Sequence, residues 1–240
     1  MSHFRVLPGR LFLVAMLAGS ALITAYSLAY FDSETLPPFV IERLPERFAP
    51  LWLASLRVHV AAALLSFPLC LALTTRALQK RAAWHRWLGR LSGTLVLFAL
   101  VPSGVALAFH AKGGEVVTAG FLLSAAIVGC SMARGILDAR RGDLPSHRRA
   151  MRHVVGQMSV AVVSRALLLG FDSVGIDPDL AYVIALWGPV LASAAIVELV
   201  SARPGSTLSQ LVERIRRDFS PLALFVRARS LARPVLHFGR

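Results

Sequence analysis

The chain has 240 residues, of which 56% are hydrophobic and only 16% charged, and its formal net charge is +13. A soluble domain usually carries about 25% charged residues, so this composition excludes disorder, a disulfide scaffold and an ordinary cytosolic enzyme. The basic charge falls in bands between apolar runs, which points to a membrane rather than to nucleic acid.

A helix that crosses a bilayer needs about 20 apolar residues. Six runs qualify: 11–31, 51–75, 88–109, 116–137, 154–171 and 180–201. None alternates with period two, which speaks against an outer-membrane barrel. Backbone amides in lipid must be paired within their own segment, so helices are predicted. Pro68, Pro102 and Pro189 lie inside the runs, where prolines of membrane helices mark tolerated kinks. Arg5 and Arg10 precede the first run, as in a signal peptide. A cleavable apolar region has about 7–15 residues; this run has about 21, so a retained helix is expected. The predicted fold is an all-α, polytopic helix bundle over residues 1–203, followed by a basic tail over 204–240.

The basic residues set the orientation. Arg5 and Arg10, then Arg76, Lys80, Arg81, Arg86 and Arg90, then Arg134, Arg140, Arg141, Arg148, Arg149 and Arg152 all fall on one side of a six-span chain, as do the arginines of the tail. Residues 32–50 carry Asp32, Glu34, Glu42 and Glu46 against Arg43 and Arg47, and 172–179 carries three aspartates and no base. Both termini are therefore expected in the cytoplasm, which accounts for the charge with no nucleic-acid partner. Tyr30, Trp52 and Tyr182 fall near the outer boundary and Trp84 and Trp87 near the inner one, where amphipathic rings prefer to sit. In the tail, Leu208, Leu211, Val212, Ile215 and Phe219 recur at helical spacing among arginines. That pattern predicts an amphipathic helix on the anionic lipids of the inner leaflet, with a solvated tail as the alternative.

Ionisable groups inside spans cost a few kcal/mol each, so each marks a functional-site hypothesis. Four stand out: Arg57, His59, Arg165 and Glu198. At about 1.5 Å per residue, His59 sits roughly 12 Å below the outer end of its helix. Arg165 falls in the outer half of the fifth span, Glu198 near the inner end of the sixth, and His110 at the outer end of the third. His85 opens the third span, and His147 and His153 flank the start of the fifth. The histidines thus form an outer tier, His59 with His110, and an inner tier, His85 with His147 or His153. His85 and His110 are separated by roughly 37 Å of helix and cannot share a site. Two tiers of imidazole on facing helices suit bis-histidine haem b. Arg57 or Arg165 would then pair with propionates in the outer tier, and Arg86, Arg90 or Arg148 in the inner one. The ordinary alternatives are solvated interfacial histidines, a hydrogen bond from His59 to a neighbouring helix, and ion pairs such as Arg165 with Asp172 or Glu198 with Arg134 or Arg203. Cys70 and Cys130 belong to no CxxC pair and are expected to act as small apolar residues. Hydrolase, ATPase and zinc-protease motifs are absent from the sequence.

Two basic motifs carry a resemblance: His85-Arg86-Trp87-Leu88-Gly89-Arg90 and His147-Arg148-Arg149-Ala150-Met151-Arg152. They resemble the HRxxGR and HRRxMxR motifs of a domain-of-unknown-function family of six-helix bacterial membrane proteins. The resemblance runs from about Leu51 to Arg203 and includes His59, Ser103 and Gly104, Gly120 and Phe121, Arg165 and Glu198. Ala150 departs from the tryptophan usual in the family. The resemblance implies a six-helix, multi-pass protein of a bacterial inner membrane and no particular activity. The chain is more loosely similar to two-haem b-type membrane cytochromes, but its fourth span lacks a histidine.

Three functions follow as expectations. The first is a non-enzymatic accessory or assembly component of a larger membrane complex. The second is a redox protein that holds haem b or a metal on His59, His85 or His147 and exchanges electrons, with quinone as a partner. The third is a transporter or membrane-embedded enzyme that binds an anion with Arg57, His59 and Arg165.

Overall fold

The computed structural model describes residues 6–32, 36–41 and 49–202. The predicted tail helix, and with it the whole of 204–240, lies outside the described residues. The chain divides into two compact units, Met1–Ala194 and Ala195–Arg240. Among the described residues there is no strand, and six helices are long and apolar enough to cross a membrane.

In chain order these are α1 (Val6–Ser27, with a 3₁₀ turn Leu28–Phe31), α3 (Ala49–Leu73), a compound third span, α7 (Gly114–Arg140), α8 (Leu144–Ser173) and α9 (Pro178–Ser201). The third span is built from α5 (Ala82–Leu95), a π-helical turn (Val96–Leu100) and α6 (Val101–Ala108). Two four-residue helices, α2 (Pro38–Ile41) and α4 (Arg76–Gln79), lie between spans. The helices begin earlier than the apolar runs alone suggest. The Asp143 carboxylate accepts from the Ser146 amide at 3.1 Å, and Pro145 sits in the first turn, so α8 starts ten residues before its greasy stretch. The His147–Arg152 motif is therefore helical, not a flank. Asp177 starts α9 in the same way, accepting from the Leu180 amide at 2.9 Å.

Helices α3 and α9 run on through Pro68 and Pro189. Pro102 has a different neighbourhood. A proline ring collides with the carbonyl four residues before it and leaves that carbonyl without a donor. The π turn directly precedes it, with the Val101 amide bonded five residues back to the Val96 carbonyl. Turns of this type are frequent at functional sites.

Within the first unit, α3 packs on α1, α5, α6 and α8, and α7 packs on α6 and α8. The main core joins Met16 of α1, Phe67 and Leu71 of α3, Val96 and Leu100 of the π turn, Met132 of α7 and Val154 and Met158 of α8. A second cluster seats Leu186 and Val190 of α9 on Val117 and Val160. Lipid is as apolar as these side chains, so close packing and interhelical hydrogen bonds hold such helices together. Gln157 is the clearest such lock. It is 3% exposed, accepts from Ser124 Oγ of α7 at 3.0 Å, and donates to the Val190 carbonyl and to Ser193 Oγ of α9, both at 2.9 Å. One amide thus ties three spans and uses both its ends. Both cysteines are free; Cys70 Sγ lies 3.0 Å from Ser92 Oγ, linking α3 to α5.

Candidate functional site

Polar side chains gather in two neighbourhoods of the first unit. The first surrounds His59 on α3. Its Nδ1 lies 3.1 Å from the Leu100 carbonyl and 3.3 Å from Ser103 Oγ. A carbonyl can only accept, so Nδ1 carries the proton. Ser103 spends its own proton on the Ala99 carbonyl at 2.5 Å and the Leu100 carbonyl at 3.2 Å, which leaves a lone pair towards His59. The ring lies against Gly104, where a Cβ would stand 3.0 Å from the imidazole Cε1 and 3.3 Å from Nδ1. In the neutral ring Nε2 is an acceptor, and among the described residues nothing hydrogen-bonds to it. Arg165 is exposed, and NH1 donates to the Ala161 carbonyl of its own helix at 2.8 Å, not to Asp172.

Arg57 takes another part. Two residues before His59, its Nε donates at 2.9 Å to the Tyr30 carbonyl, tying α3 to the turn that ends α1. His110 does not join the His59 neighbourhood. It is exposed, and its Nδ1 reaches only the Ala106 carbonyl of its own helix at 3.3 Å. The expected pairing of His59 with His110 therefore does not form, and the exposed loop-edge imidazole is satisfied locally.

The second neighbourhood lies at the arginine-rich end of the helices. His147 of α8 donates from Nδ1 to the Gly135 carbonyl of α7 at 2.8 Å. Gly135 makes this approach possible: a Cβ there would overlap the Met151 methyl and stand 3.2 Å from the Ala150 Cβ and 3.7 Å from His147 Nδ1. His85 lies in the first turn of α5, at the same end of the helices. The His85 Nδ1 is buried and has no hydrogen-bond partner among the described residues. Around the pair, Arg86, Arg90, Arg148 and Arg152 are exposed; Arg148 Nε reaches back to the Leu144 carbonyl at 3.3 Å. Trp84 and Trp87 stand beside them, edge to face with centroids 6.3 Å apart. Glu198 is half-buried near the end of α9 and is engaged in an interaction of its own.

The structure thus keeps His85 and His147 at one end of the helices and His59 and Arg165 towards the other. Among the described residues no three His, Cys, Asp or Glu side chains converge as a metal would need. Both tethered histidines share one device: Nδ1–H is spent on a neighbouring helix's carbonyl, which leaves Nε2 as the chemically available nitrogen. Ligand histidines are commonly oriented in this way. The residue that reading for charge passed over is Gln157. A lone amide in mid-span, with Ser124 and Ser193 at matching depth on adjacent spans, was its only signal.

No curated protein and no solved structure matches the chain. One family model does, over residues 56–201, more than half of the length, and its description is predicted membrane protein. The match begins just before His59 and takes in both neighbourhoods, so the chain belongs to the DUF2306 family of predicted membrane proteins.

Proposed function

We propose that this integral membrane protein is a redox component that holds haem b between His85 and His147. In this reading it sits in a bacterial inner membrane with its arginine-rich end in the cytoplasm, and a larger membrane complex or quinone is its electron partner. The observation that supports the reading is the presence of two imidazoles, from α5 and α8, at one end of the helices. One is fixed by a backbone carbonyl, and the other keeps a buried ring nitrogen unused. An unpaired buried polar group costs about 1–3 kcal/mol, a cost that ligation would remove.

The donor set fits the group. Haem iron takes two imidazoles, whereas a closed zinc site takes four ligands. The bond from His147 to Gly135 holds its ring in one tautomer and aims Nε2 away from α7. Arg86, Arg90, Arg148 and Arg152 supply guanidinium forks for carboxylates at the same end. Bound haem would supply one-electron transfer; the chain's part is to hold the rings and neutralise the propionates.

The test is an absorption spectrum of the full chain purified from haem-supplied cells. A Soret band is expected in the wild type and in His59→Ala, and is expected to vanish in His85→Ala and His147→Ala. A colourless wild type that takes up no hemin on titration overturns the reading.

A further inference from the structure

A guanidinium deep in an apolar layer has to be answered by something, and Arg165 finds little in its own chain. It lies eight residues before Ser173, the end of α8, so about 12 Å of helix separates the two. In a hydrocarbon core about 30 Å thick, that position is well inside. Arginines in such places usually stretch towards the nearer headgroups. Arg165 turns the other way: NH1 donates at 2.8 Å to the carbonyl of Ala161, one turn deeper. That bond is to backbone, not to an acid, and it leaves most of the guanidinium donors unspent.

The side chain also lies on the outside. Ala161, Arg165 and Leu169 recur every fourth residue and form one exposed row on α8, bordered by the exposed Ala166 and Gly170. A Cβ on Gly170 would meet nothing within 4 Å. Acyl chains accept no hydrogen bond, so the row calls for an acid brought from elsewhere. A second copy of this chain has none to bring at that depth. The six apolar runs hold one acid, Glu198. It stands three residues before the end of α9, about 5 Å along the helix, and is engaged in an interaction of its own. A lipid phosphate stays at headgroup level, and the turn towards Ala161 carries the guanidinium away from the nearer headgroups.

We infer that the exposed row around Arg165 is a docking face for a different membrane protein, whose transmembrane helix brings an aspartate or glutamate to the depth of Arg165. The free edge of the guanidinium gives that carboxylate two parallel N–H bonds. Ala161, Ala166 and Gly170 let the two backbones come close, as small residues do between membrane helices. The inference rests on the part of the proposed function that places the chain in a larger membrane complex, and it gives that partner a face and a charge. It uses none of the residues assigned to haem.

The test uses the full chain in phosphatidylcholine nanodiscs, with a synthetic helix of about 20 leucines carrying one central glutamate as the probe. Energy transfer between dyes on protein and peptide is expected to show association at least about 10-fold tighter than with an all-leucine peptide, since the charges meet away from water. Arg165→Leu, an apolar exchange on an exposed row, is expected to bind both peptides alike. Arg165→Glu is expected to reverse the preference, favouring a peptide with a central lysine. Gly170→Leu keeps the charge but fills the flank, and is expected to weaken the glutamate peptide by a smaller factor. His85→Ala is expected to bind it as the wild type does, so loss of the Soret band and loss of docking are separate results. In native membranes, a photoreactive residue in place of Leu169 is expected to join the chain to a transmembrane segment that carries an acid, and to lose that product in Arg165→Leu. The inference is overturned if the glutamate peptide binds no tighter than the leucine peptide, or if its advantage survives in Arg165→Leu. It is also overturned if the cross-linked product is a second copy of the chain. Retention of phosphatidylglycerol that is lost in Arg165→Leu, with no preference among the peptides, overturns it too and marks a lipid phosphate as the occupant.

Discussion

The two histidine neighbourhoods are built alike at one end of the imidazole and differently at the other. His59 and His147 each give Nδ1–H to a carbonyl of a neighbouring helix, at 3.1 and 2.8 Å, beside a glycine that clears the approach. Beyond Nε2 they part. His147 shares its end of the helices with His85, whose buried Nδ1 has no partner among the described residues, whereas His110 does not join His59. The shared half is scaffolding, since it fixes a ring and its tautomer. The unshared half decides the chemistry: two imidazoles can share an iron, whereas one tethered imidazole offers a single acceptor. A histidine inside a membrane protein is thus read from what stands across from its free nitrogen.

The strongest way to break the comparison is to remove one free nitrogen at a time. His147→Ala is expected to abolish the Soret absorbance altogether, and His59→Ala to leave it intact; equal loss in both would show a single coupled site. Crowding the glycine comes next. Gly135→Val drives a branched side chain into Met151 and Ala150, and overpacking of this kind costs about 1–3 kcal/mol. A fall in thermal midpoint is expected together with loss of the His147 tether, seen as a change in its ¹⁵N tautomer signature. Gln157→Leu, far from either imidazole's chemistry, is expected to cost up to about 1.7 kcal/mol, the upper range for interhelical hydrogen bonds in membranes. It should lower the midpoint without moving either spectrum. Ser103→Ala removes one lone pair behind His59 and is expected to cost about 0.6 kcal/mol, read as a small fall in the thermal midpoint. Gly89→Ala is the near-silent control. A Cβ there meets nothing within 4 Å, so improved helix propensity is expected to leave stability unchanged or raised by up to about 1 kcal/mol.

The sequence made the six spans legible because apolar runs of that length have few other uses. Arginine bands and histidine spacing were enough to place His59 apart from His85 and His147. What escaped it depends on backbone. The partners of His59, His147 and Arg57 are the carbonyls of Leu100, Gly135 and Tyr30, and every residue type carries a carbonyl. Arg57 therefore looked as available as Arg165 until its bond to Tyr30 was seen. Gln157 escaped because it carries no charge, although its amide bridges three helices. The early start of α8 was written in Asp143 and Pro145, which an apolar window does not weigh.

The wide turn at Val96–Leu100 has one more consequence. It threads roughly one extra residue into the third span, and each residue turns a regular helix by about 100°. Everything after it, including Ser103 and Gly104, is rotated relative to everything before it, including His85. One continuous rod can thereby carry His85 near one end and meet His59 further along without either helical face compromising for the other. Deleting a single residue from that stretch would swing the far half of the rod away from His59 and leave the near half where it was.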